Sequence, residues 1–296
     1  MDTRSYIITG PTASGKSDLA HRLARAVGGV VINCDSVQIY RGIENIGASP
    51  LADAQCVDGA IDGVPYRLFS VLPLSRQISV VEYLAMAREQ YDAACAARRP
   101  AVFVGGTGYY INALIHGISP MPDICDDVRA RARAMVRDDI ENARRMLGPL
   151  FRPTDAQRVA RALEVLLQTG RNISEFQALP RTGGFLSGAK KILMSPPADV
   201  LRERIAARIP KMLDGGALGE AQRIIDANWD PARAIGAAQL VRYINGDIDM
   251  DECIQNWIVK TNQYAKRQRT WFRTQFNPDV IINRVDITDA DVNDLI

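Results

Sequence analysis

The first residues whose types and spacing indicate chemistry form a glycine loop that fits the pattern G-x-x-x-x-G-K-[ST]. The loop lies between an apolar run, predicted as a strand, and an amphipathic stretch, predicted as a helix. Glycines let successive backbone N–H groups turn inward, and a helix start adds a positive dipole end, so this pattern is typical of phosphate binding. Lys16 would supply a charge and Ser17 a hydroxyl for Mg²⁺. The predicted loop consists of Gly10, Pro11, Thr12, Ala13, Ser14, Gly15, Lys16 and Ser17.

Two more polar side chains follow predicted strands. Asp35 comes after the apolar residues 30–33, and a carboxylate at the carboxyl edge of a parallel sheet suits Mg²⁺ binding through water or general-base catalysis. Its position alone equally favours a helix N-cap. Thr107 lies in the glycine-rich turn 105–108, where its hydroxyl suits a hydrogen bond to a substrate edge. Glycines after a strand more often only make a tight turn.

Arginines recur at helical spacing in the middle of the chain. Arg129, Arg133 and Arg137 are four residues apart, which places them on one face of a predicted helix, and residues 157–161 begin another helix. Such faces are usually solvated, but they also suit contacts with a phosphate backbone. Residues 260–273 add a basic stretch interleaved with aromatic side chains, of which Trp271 favours the core over base stacking.

These residues require elements that bring them to one place. Strands are predicted at residues 6–9, 30–33, 100–104 and 190–194, and their alternation with helices indicates an α/β fold with a parallel sheet covered on both faces. After residue 194 the remaining chain predicts helices, at residues 199–213, 217–227, 237–244 and 250–273. Breaker residues at 119–123 precede a stretch, 126–168, that reads as helices without strands. We therefore predict a P-loop NTPase-like core (residues 1–117 and 189–296) with an inserted helical subdomain (residues 118–188).

The composition is that of a globular chain, with 296 residues, 47% hydrophobic content and a net charge of +2. No secretory signal pattern and no apolar run approaching roughly 20 residues is present, so we expect a cytoplasmic protein without a membrane segment. His21 and His116 are far apart and suit packed helix positions better than a metal site. Five scattered cysteines favour reduced thiols over a disulfide framework or a zinc site: Cys34, Cys56, Cys95, Cys125 and Cys253.

Six segments, in the same order and at similar spacing, make this sequence resemble the bacterial tRNA dimethylallyltransferases over nearly its whole length. The glycine loop alone would fit many nucleotide enzymes, whereas the six segments together are specific to that family. The matching segments are residues 10–17, 35–36 with 38–41, 105–110, 157–158 with 161–165, 235–236, and 264–268 with 270–273.

The resemblance implies transfer of a dimethylallyl group from dimethylallyl diphosphate to the exocyclic amine of the adenosine 3′-adjacent to the anticodon in tRNA, with release of diphosphate and with Mg²⁺ as cofactor. It implies that the catalytic residues are Asp35, as the general base, Thr107 and Lys16, and that the loop with Lys16 holds the diphosphate. We expect a monomer whose helical insert grips the anticodon stem-loop. The tRNA contacts that the resemblance implies are Asp35, Ser36, Val37, Gln38, Thr107, Arg129, Gln157, Arg158, Val159, Ala160 and Arg161.

The sequence departs from the family pattern in several places. Residues 48–50 lack a lysine that the family commonly has, residues 65–67 replace paired histidines, and Ala237 replaces a tyrosine. The insert between Arg129 and Gln157 is short by several residues.

Three other functions stay open at this point. Prenyl transfer to free adenine nucleotides would use the same chemistry, and a small-molecule kinase would fit the phosphate loop alone. A non-catalytic RNA-binding module is the third alternative, although binding alone does not need Lys16, Ser17 and Asp35 together.

Overall fold

The computed structural model describes residues 4–52 and 59–296. The chain forms two compact units, one made of residues 1–115 with 185–296 and the other of residues 116–184. Cys56 lies outside the described residues, and the other four cysteines are free thiols. In the described part of the chain, no helix is both long enough and apolar enough to cross a membrane.

A seven-stranded sheet, counted over the described residues, forms the centre of the first unit, in the order β3-β4-β2-β5-β1-β6-β7. All neighbouring strands are parallel except β3 and β4. The central strands β2 and β5 are buried at every position, as expected of strands covered on both faces. The strands are β1 (Ser5–Thr9), β2 (Val30–Asn33), β3 (Ala60–Ile61), β4 (Val64–Arg67), β5 (Ala101–Gly105), β6 (Lys190–Met194) and β7 (Val280–Ile282).

Helices pack on this sheet, and a hydrophobic cluster that includes Leu19, Leu23, Val31 and Val292 joins the strands to the first and last helices. The helices of the first unit are α1 (Lys16–Val27), α2 (Val80–Ala96), α3 (Gly108–His116), α8 (Ala198–Asp214), α9 (Ala217–Asp226), α10 (Ala237–Ile244), α11 (Met250–Gln275) and α12 (Asp289–Asn293), with a 3₁₀ turn at Pro231–Arg233. The helices of the second unit are α4 (Asp126–Asp138), α5 (Ile140–Met146), α6 (Ala156–Thr169) and α7 (Ile173–Gln177).

The strand register sets the position of the candidate residues. Thr9 pairs with Gly105, and Asn33 pairs with Val104, so β1, β2 and β5 end side by side. The loops that follow these three strands therefore leave the sheet at one edge, which is where open α/β folds bind ligands.

The second unit has its own small core. Ala132 and Val136 of α4 pack with Val159 and Leu163 of α6, each at helical spacing. The unit ends at residue 184, earlier than the boundary at 188 predicted from the sequence. The physical reason is that Phe185 already belongs to the first unit, because its ring packs on Tyr91 and Phe103.

The predicted α/β class with a P-loop-like parallel sheet is confirmed, but the prediction that the chain after residue 194 contains only helices was wrong. β7 lies there and pairs with β6, and its Val280 and Ile282 pack against the core. The short strands β3 and β4 were also missed. These strands are two to four residues long, and β4 contains Pro65, so tertiary pairing and not local propensity determines them.

Candidate active site

The phosphate loop is a tight turn between β1 and α1. Gly15 has a positive φ of 88° and caps the start of α1, and a Cβ at Gly10 would lie 2.4 Å from the carbonyl oxygen of Met194. Both positions therefore require glycine. The Lys16 Nζ folds back over the loop and donates to the Pro11 carbonyl at 3.3 Å.

Desolvation dominates the electrostatics of Lys16. Burial lowers the pKa of its ammonium to about 8; Asp35 opposes this shift, whereas Arg208 adds to it. No carboxylate of residues 4–52 or 59–296 is hydrogen-bonded to this ammonium, so it is suited to receive an anion.

Asp35 sits in a turn that buried polar groups hold in place. The Asp35 N–H donates to Asn33 Oδ1 at 2.8 Å, and Asn33 Nδ2 donates back to the Asp35 carbonyl at 2.9 Å. The Asp35 Oδ1 accepts from the Val37 N–H at 3.0 Å. Asp35 therefore caps a turn and is not the N-cap of a helix. This hydrogen bond uses only one of its two carboxylate oxygens.

Thr107 connects this turn to the one after β5. Its Oγ1 accepts from the Ser36 N–H at 3.0 Å and donates to Ser36 Oγ at 3.2 Å. Gln38 is tied in the same way, because its Nε2 donates to the carbonyls of Gly47 and Ala48. Two of the predicted tRNA contacts thus also hold the protein's own loops.

A cavity of about 740 Å³ brings the loop and the Asp35 turn together. Most of the predicted site residues of the first unit line it, whereas Gly10 and Pro11 are buried at the start of the loop and Thr107 lies beside the Asp35 turn. The predicted residues that line it are Thr12, Ala13, Ser14, Gly15, Lys16, Ser17, Asp35, Ser36, Val37 and Gln38.

The sequence analysis missed two cavity arginines that contact the phosphate loop. Arg208 Nη2 donates to Thr12 Oγ1 at 2.8 Å, and Arg204 Nε donates to the Ala13 carbonyl at 3.0 Å, so α8 lies against the phosphate loop. Burial, with Arg204 close by, lowers the pKa of Arg208 to about 10. The only signal in the sequence is the four-residue spacing of the two arginines on a predicted helix, which is also common on solvated faces.

Two buried polar atoms on this wall have no hydrogen-bond partner among the described residues. They are Arg208 Nε and Ser14 Oγ. Buried donors are nearly always satisfied and both residues line the cavity, so each atom needs a polar partner there, such as a ligand oxygen or an ordered water.

The predicted RNA-binding residues of the insert lie on α4 and α6 of the second unit. The Arg158 side chain is 75% exposed, whereas Arg161 donates to the buried carboxylate of Glu164 at 3.2 Å. Arg129 is half-buried and its Nη2 donates to the Ile124 carbonyl at 3.4 Å. Gln157 is exposed, but Val159 is fully buried in the core of the unit, so its side chain is not available for direct contact.

Comparison with known proteins gives a consistent result. The model of the family described as IPP transferase matches residues 38–275, and that described as isopentenyl transferase matches residues 3–55. The chain is 38% identical over 288 residues to the tRNA dimethylallyltransferase of Chelativorans sp., with 92% of this chain and 96% of that protein covered. It is 39% identical over 293 residues to the tRNA dimethylallyltransferase of Agrobacterium fabrum, with 93% and 95% covered.

Solved structures are similar over the whole chain. The tRNA isopentenylpyrophosphate transferase of Bacillus halodurans superposes with a TM-score of 0.70 at 27% identity, covering 99% of this chain and 94% of that one. A eukaryotic dimethylallyltransferase acting on tRNA superposes with a TM-score of 0.73 at 22% identity, covering 98% of this chain and 76% of that one. At that identity the second structure supports the fold alone.

Proposed function

This chain belongs to the IPP transferase family, its reaction is the transfer of a prenyl group to tRNA, and we propose the substrates, the site and the steps that follow. The donor is dimethylallyl diphosphate. The acceptor is the exocyclic amine of the adenosine 3′-adjacent to the anticodon, and diphosphate is released.

The observation that carries this proposal is the shared cavity. The phosphate loop and the Asp35 carboxylate line one space of about 740 Å³. Pockets for small ligands span roughly 300–1,000 Å³, so a purine and a prenyl diphosphate have room between these groups.

The loop side of the cavity suits the diphosphate. The start of α1 and the cations Lys16 and Arg208 line this side and favour a negatively charged group, and the loop N–H groups other than those of Thr12 and Ser14 are open to it. A phosphate oxygen would also satisfy Arg208 Nε and Ser14 Oγ, the two buried atoms without a protein partner. When the allylic C–O bond breaks, the same groups stabilise the negative charge that develops on the leaving diphosphate.

Mg²⁺ fits the donors at this place. Ser17 lines the cavity beside the proposed diphosphate, and Mg²⁺ usually keeps several waters and binds substrate phosphates with few protein ligands. No group of three or more His, Cys, Asp or Glu side chains forms a dedicated metal cage in the described residues. When bound, the ion would add positive charge next to the leaving diphosphate.

Asp35 suits the acceptor side. Its Oδ1 is occupied by the Val37 N–H, which leaves Oδ2 as the proton acceptor. The exocyclic amine of adenine is a weak nucleophile because its lone pair is delocalised into the ring. As the new N–C bond forms and the C–O bond breaks, one amine proton passes to Asp35, which avoids a cationic product in the cavity.

The acceptor base has to leave its stack to enter the cavity. This costs a few kcal/mol, and least in an unpaired loop, which favours an anticodon loop over a duplex. We assign Arg129, Arg158 and Arg161, with Gln157, to contacts that hold the RNA, because basic helix faces neutralise backbone phosphates.

The experiment is to incubate the protein with dimethylallyl diphosphate, Mg²⁺ and either an unmodified anticodon stem-loop or AMP, and to weigh the digested nucleosides. We expect dimethylallyl adenosine from the stem-loop and not from AMP. Modification of AMP alone would instead identify an adenylate prenyltransferase. ATP turnover with a small hydroxyl acceptor, without prenyl transfer, would identify a kinase.

A further inference from the structure

Gln268 lies in the second half of α11 and connects two loops that are far apart in the sequence. Its side chain is buried, with 6% of the residue exposed. Its Oε1 accepts from the backbone N–H of Thr12 in the phosphate loop at 2.8 Å. Its Nε2 donates to the carbonyl of Gly106, in the turn after β5, at 2.9 Å.

This bridge has a strict chemical requirement. One loop presents a donor and the other an acceptor, so the connecting side chain must accept on one side and donate on the other. A glutamine carboxamide does both. Methionine has a similar length but forms neither bond, and an ionised glutamate would place an oxygen against the Gly106 carbonyl.

The turn that receives the bridge also adjoins the proposed base. A Cβ at Gly106 would lie 2.4 Å from Gln268 Nε2 and 3.6 Å from Asp35 Oδ2, so the amide and the carboxylate oxygen both lie close to this turn. The next residue, Thr107, is hydrogen-bonded to Ser36, which follows Asp35. A continuous path of bonded groups therefore runs from the phosphate loop through Gln268 to the Asp35 turn.

We propose that Gln268 is a positioning residue that sets the separation between the diphosphate cradle and the Asp35 carboxylate. The inference rests on the proposed function, because this separation matters only if the allylic carbon and the amine react between the two groups. Reacting atoms must approach to roughly 3–3.5 Å, and a displacement of about 1 Å can cost about 100-fold in rate. Gln268 also lines the cavity, but its amide oxygen and nitrogen are bonded to the two loops, so we assign its effect on kcat to the positions of those loops.

The test compares Gln268→Met and Gln268→Glu with the same substitutions at Gln263, which is exposed on the same helix. Steady-state kinetics with dimethylallyl diphosphate and the anticodon stem-loop give kcat and both KM values. For Gln268→Met we expect kcat to fall about 10- to 100-fold with both KM values unchanged. The Gln263 variants are expected to retain wild-type kcat.

Gln268→Glu supplies a pH profile that a purely structural role would not produce. Ionised, the new carboxylate repels the Gly106 carbonyl; protonated, it donates to that carbonyl and restores the bridge. The kcat of this variant relative to wild type should therefore rise as the pH is lowered. The other titratable and charged groups around this site are present in both proteins, so a difference between the two profiles arises from the new carboxylate and its influence on them. These groups are Lys16, Asp35, Arg208, Tyr264 and Arg267.

The outcomes separate the two proposals. A wild-type protein that does not prenylate the stem-loop would contradict the proposed function itself. With an active wild type, the inference is overturned by unchanged kcat in Gln268→Met, by an effect on KM alone, or by a pH-independent ratio for Gln268→Glu. Should the variants fold poorly, hydrogen exchange of the wild type decides: we expect the Thr12 amide to exchange far more slowly than that of Ala13, and equal rates would contradict the bridge.

Discussion

Asp35 uses its two carboxylate oxygens for different purposes. Oδ1 accepts from the Val37 N–H and so holds the turn, whereas Oδ2 is the oxygen near Gly106 and accepts no hydrogen bond from any described residue. A substitution that removes the whole side chain would therefore mix a structural loss with a chemical one. An amide at this position keeps the turn and removes only the basic oxygen.

We predict that Asp35→Asn lowers kcat by roughly 10²- to 10⁴-fold, the usual contribution of a general base, while tRNA affinity stays near wild type. Single-turnover rates and a tRNA binding titration measure the two quantities separately. Asp92→Asn, at an exposed position on α2, is the control. An Asp35→Asn variant with the turnover of the wild type would show that Asp35 does not accept the proton.

The lowered pKa of Lys16 predicts that the binding of the diphosphate depends on pH. Its pKa is lowered to about 8 by burial, so in the free protein it loses its proton as the pH rises above that value, and with it the charge that attracts diphosphate. The last ionisation of a phosphate monoester lies near pH 6, so the charge of the substrate no longer changes in this range.

We therefore expect kcat/KM for dimethylallyl diphosphate to fall by about tenfold per pH unit above about pH 8, since this parameter reports the free enzyme. The decline should continue from about pH 8 to about pH 10, because the Arg208 guanidinium stays protonated in this range. A profile that stays flat between these values would contradict the role of the Lys16 ammonium.

At the scale of elements, helices distant in sequence position the cavity walls. α8 brings Arg204 and Arg208 to the phosphate loop, and α9 holds the loop that carries residues 45–48. Glu220 of α9 is buried, and its carboxylate accepts from the backbone N–H groups of Asn45 and Ile46, each at 2.8 Å. Burial raises the pKa of Glu220, and the loop N–H groups oppose that shift.

We predict that Glu220→Ala lowers the free energy of unfolding by on the order of 3 kcal/mol, because two backbone donors lose their acceptor. The same loop supplies the carbonyls that hold Gln38, so KM for the stem-loop should rise as well. Urea denaturation and kinetics measure the two effects. Glu220→Gln keeps one acceptor oxygen and should lose less, and Glu203→Ala, exposed on α8, should change neither; equal stability of all three variants would contradict this role.

At the scale of the whole molecule, the net charge of +2 hides a segregated distribution. Cations concentrate around the cavity and on the helices of the insert, while acidic residues are frequent near the end of the chain. A net charge therefore says little about nucleic-acid binding, which depends on local charge density.

We predict that Arg158→Ala weakens binding of the stem-loop and reduces the salt slope of log K by about 0.7 to 0.9 per lost phosphate contact. Arg158 is the cleanest test because its side chain is mostly exposed, whereas Arg161→Ala would also strip the buried Glu164 of a partner. Arg171→Ala is the matched control, since Arg171 is tied to Glu175 at 2.9 Å. Unchanged affinity and slope in Arg158→Ala would remove this residue from the RNA interface.

Several site features were predictable from the sequence because they are local. The phosphate loop occupies consecutive residues, and its glycines are dictated by the backbone conformation of the turn itself. Asp35 follows its strand directly, and parallel strands end at a common edge, so its place beside the loop was predictable without coordinates. The helix Ala237–Ile244 was predicted at its observed bounds for the same reason, and the other helices predicted after residue 194 end within two residues of theirs.

Arg208, Gln268 and Glu220 could not be identified in this way. Each acts on a loop about 160 to 260 residues away in the sequence, and helical periodicity states only which face a side chain occupies, not which loop that face meets. The sequence alone therefore determined the class of fold, the anion-binding loop and the candidate base, because these depend on neighbouring residues. Only the tertiary structure decided which distant side chains hold those parts at a fixed distance, because that depends on how α8, α9 and α11 pack against the edge of the sheet.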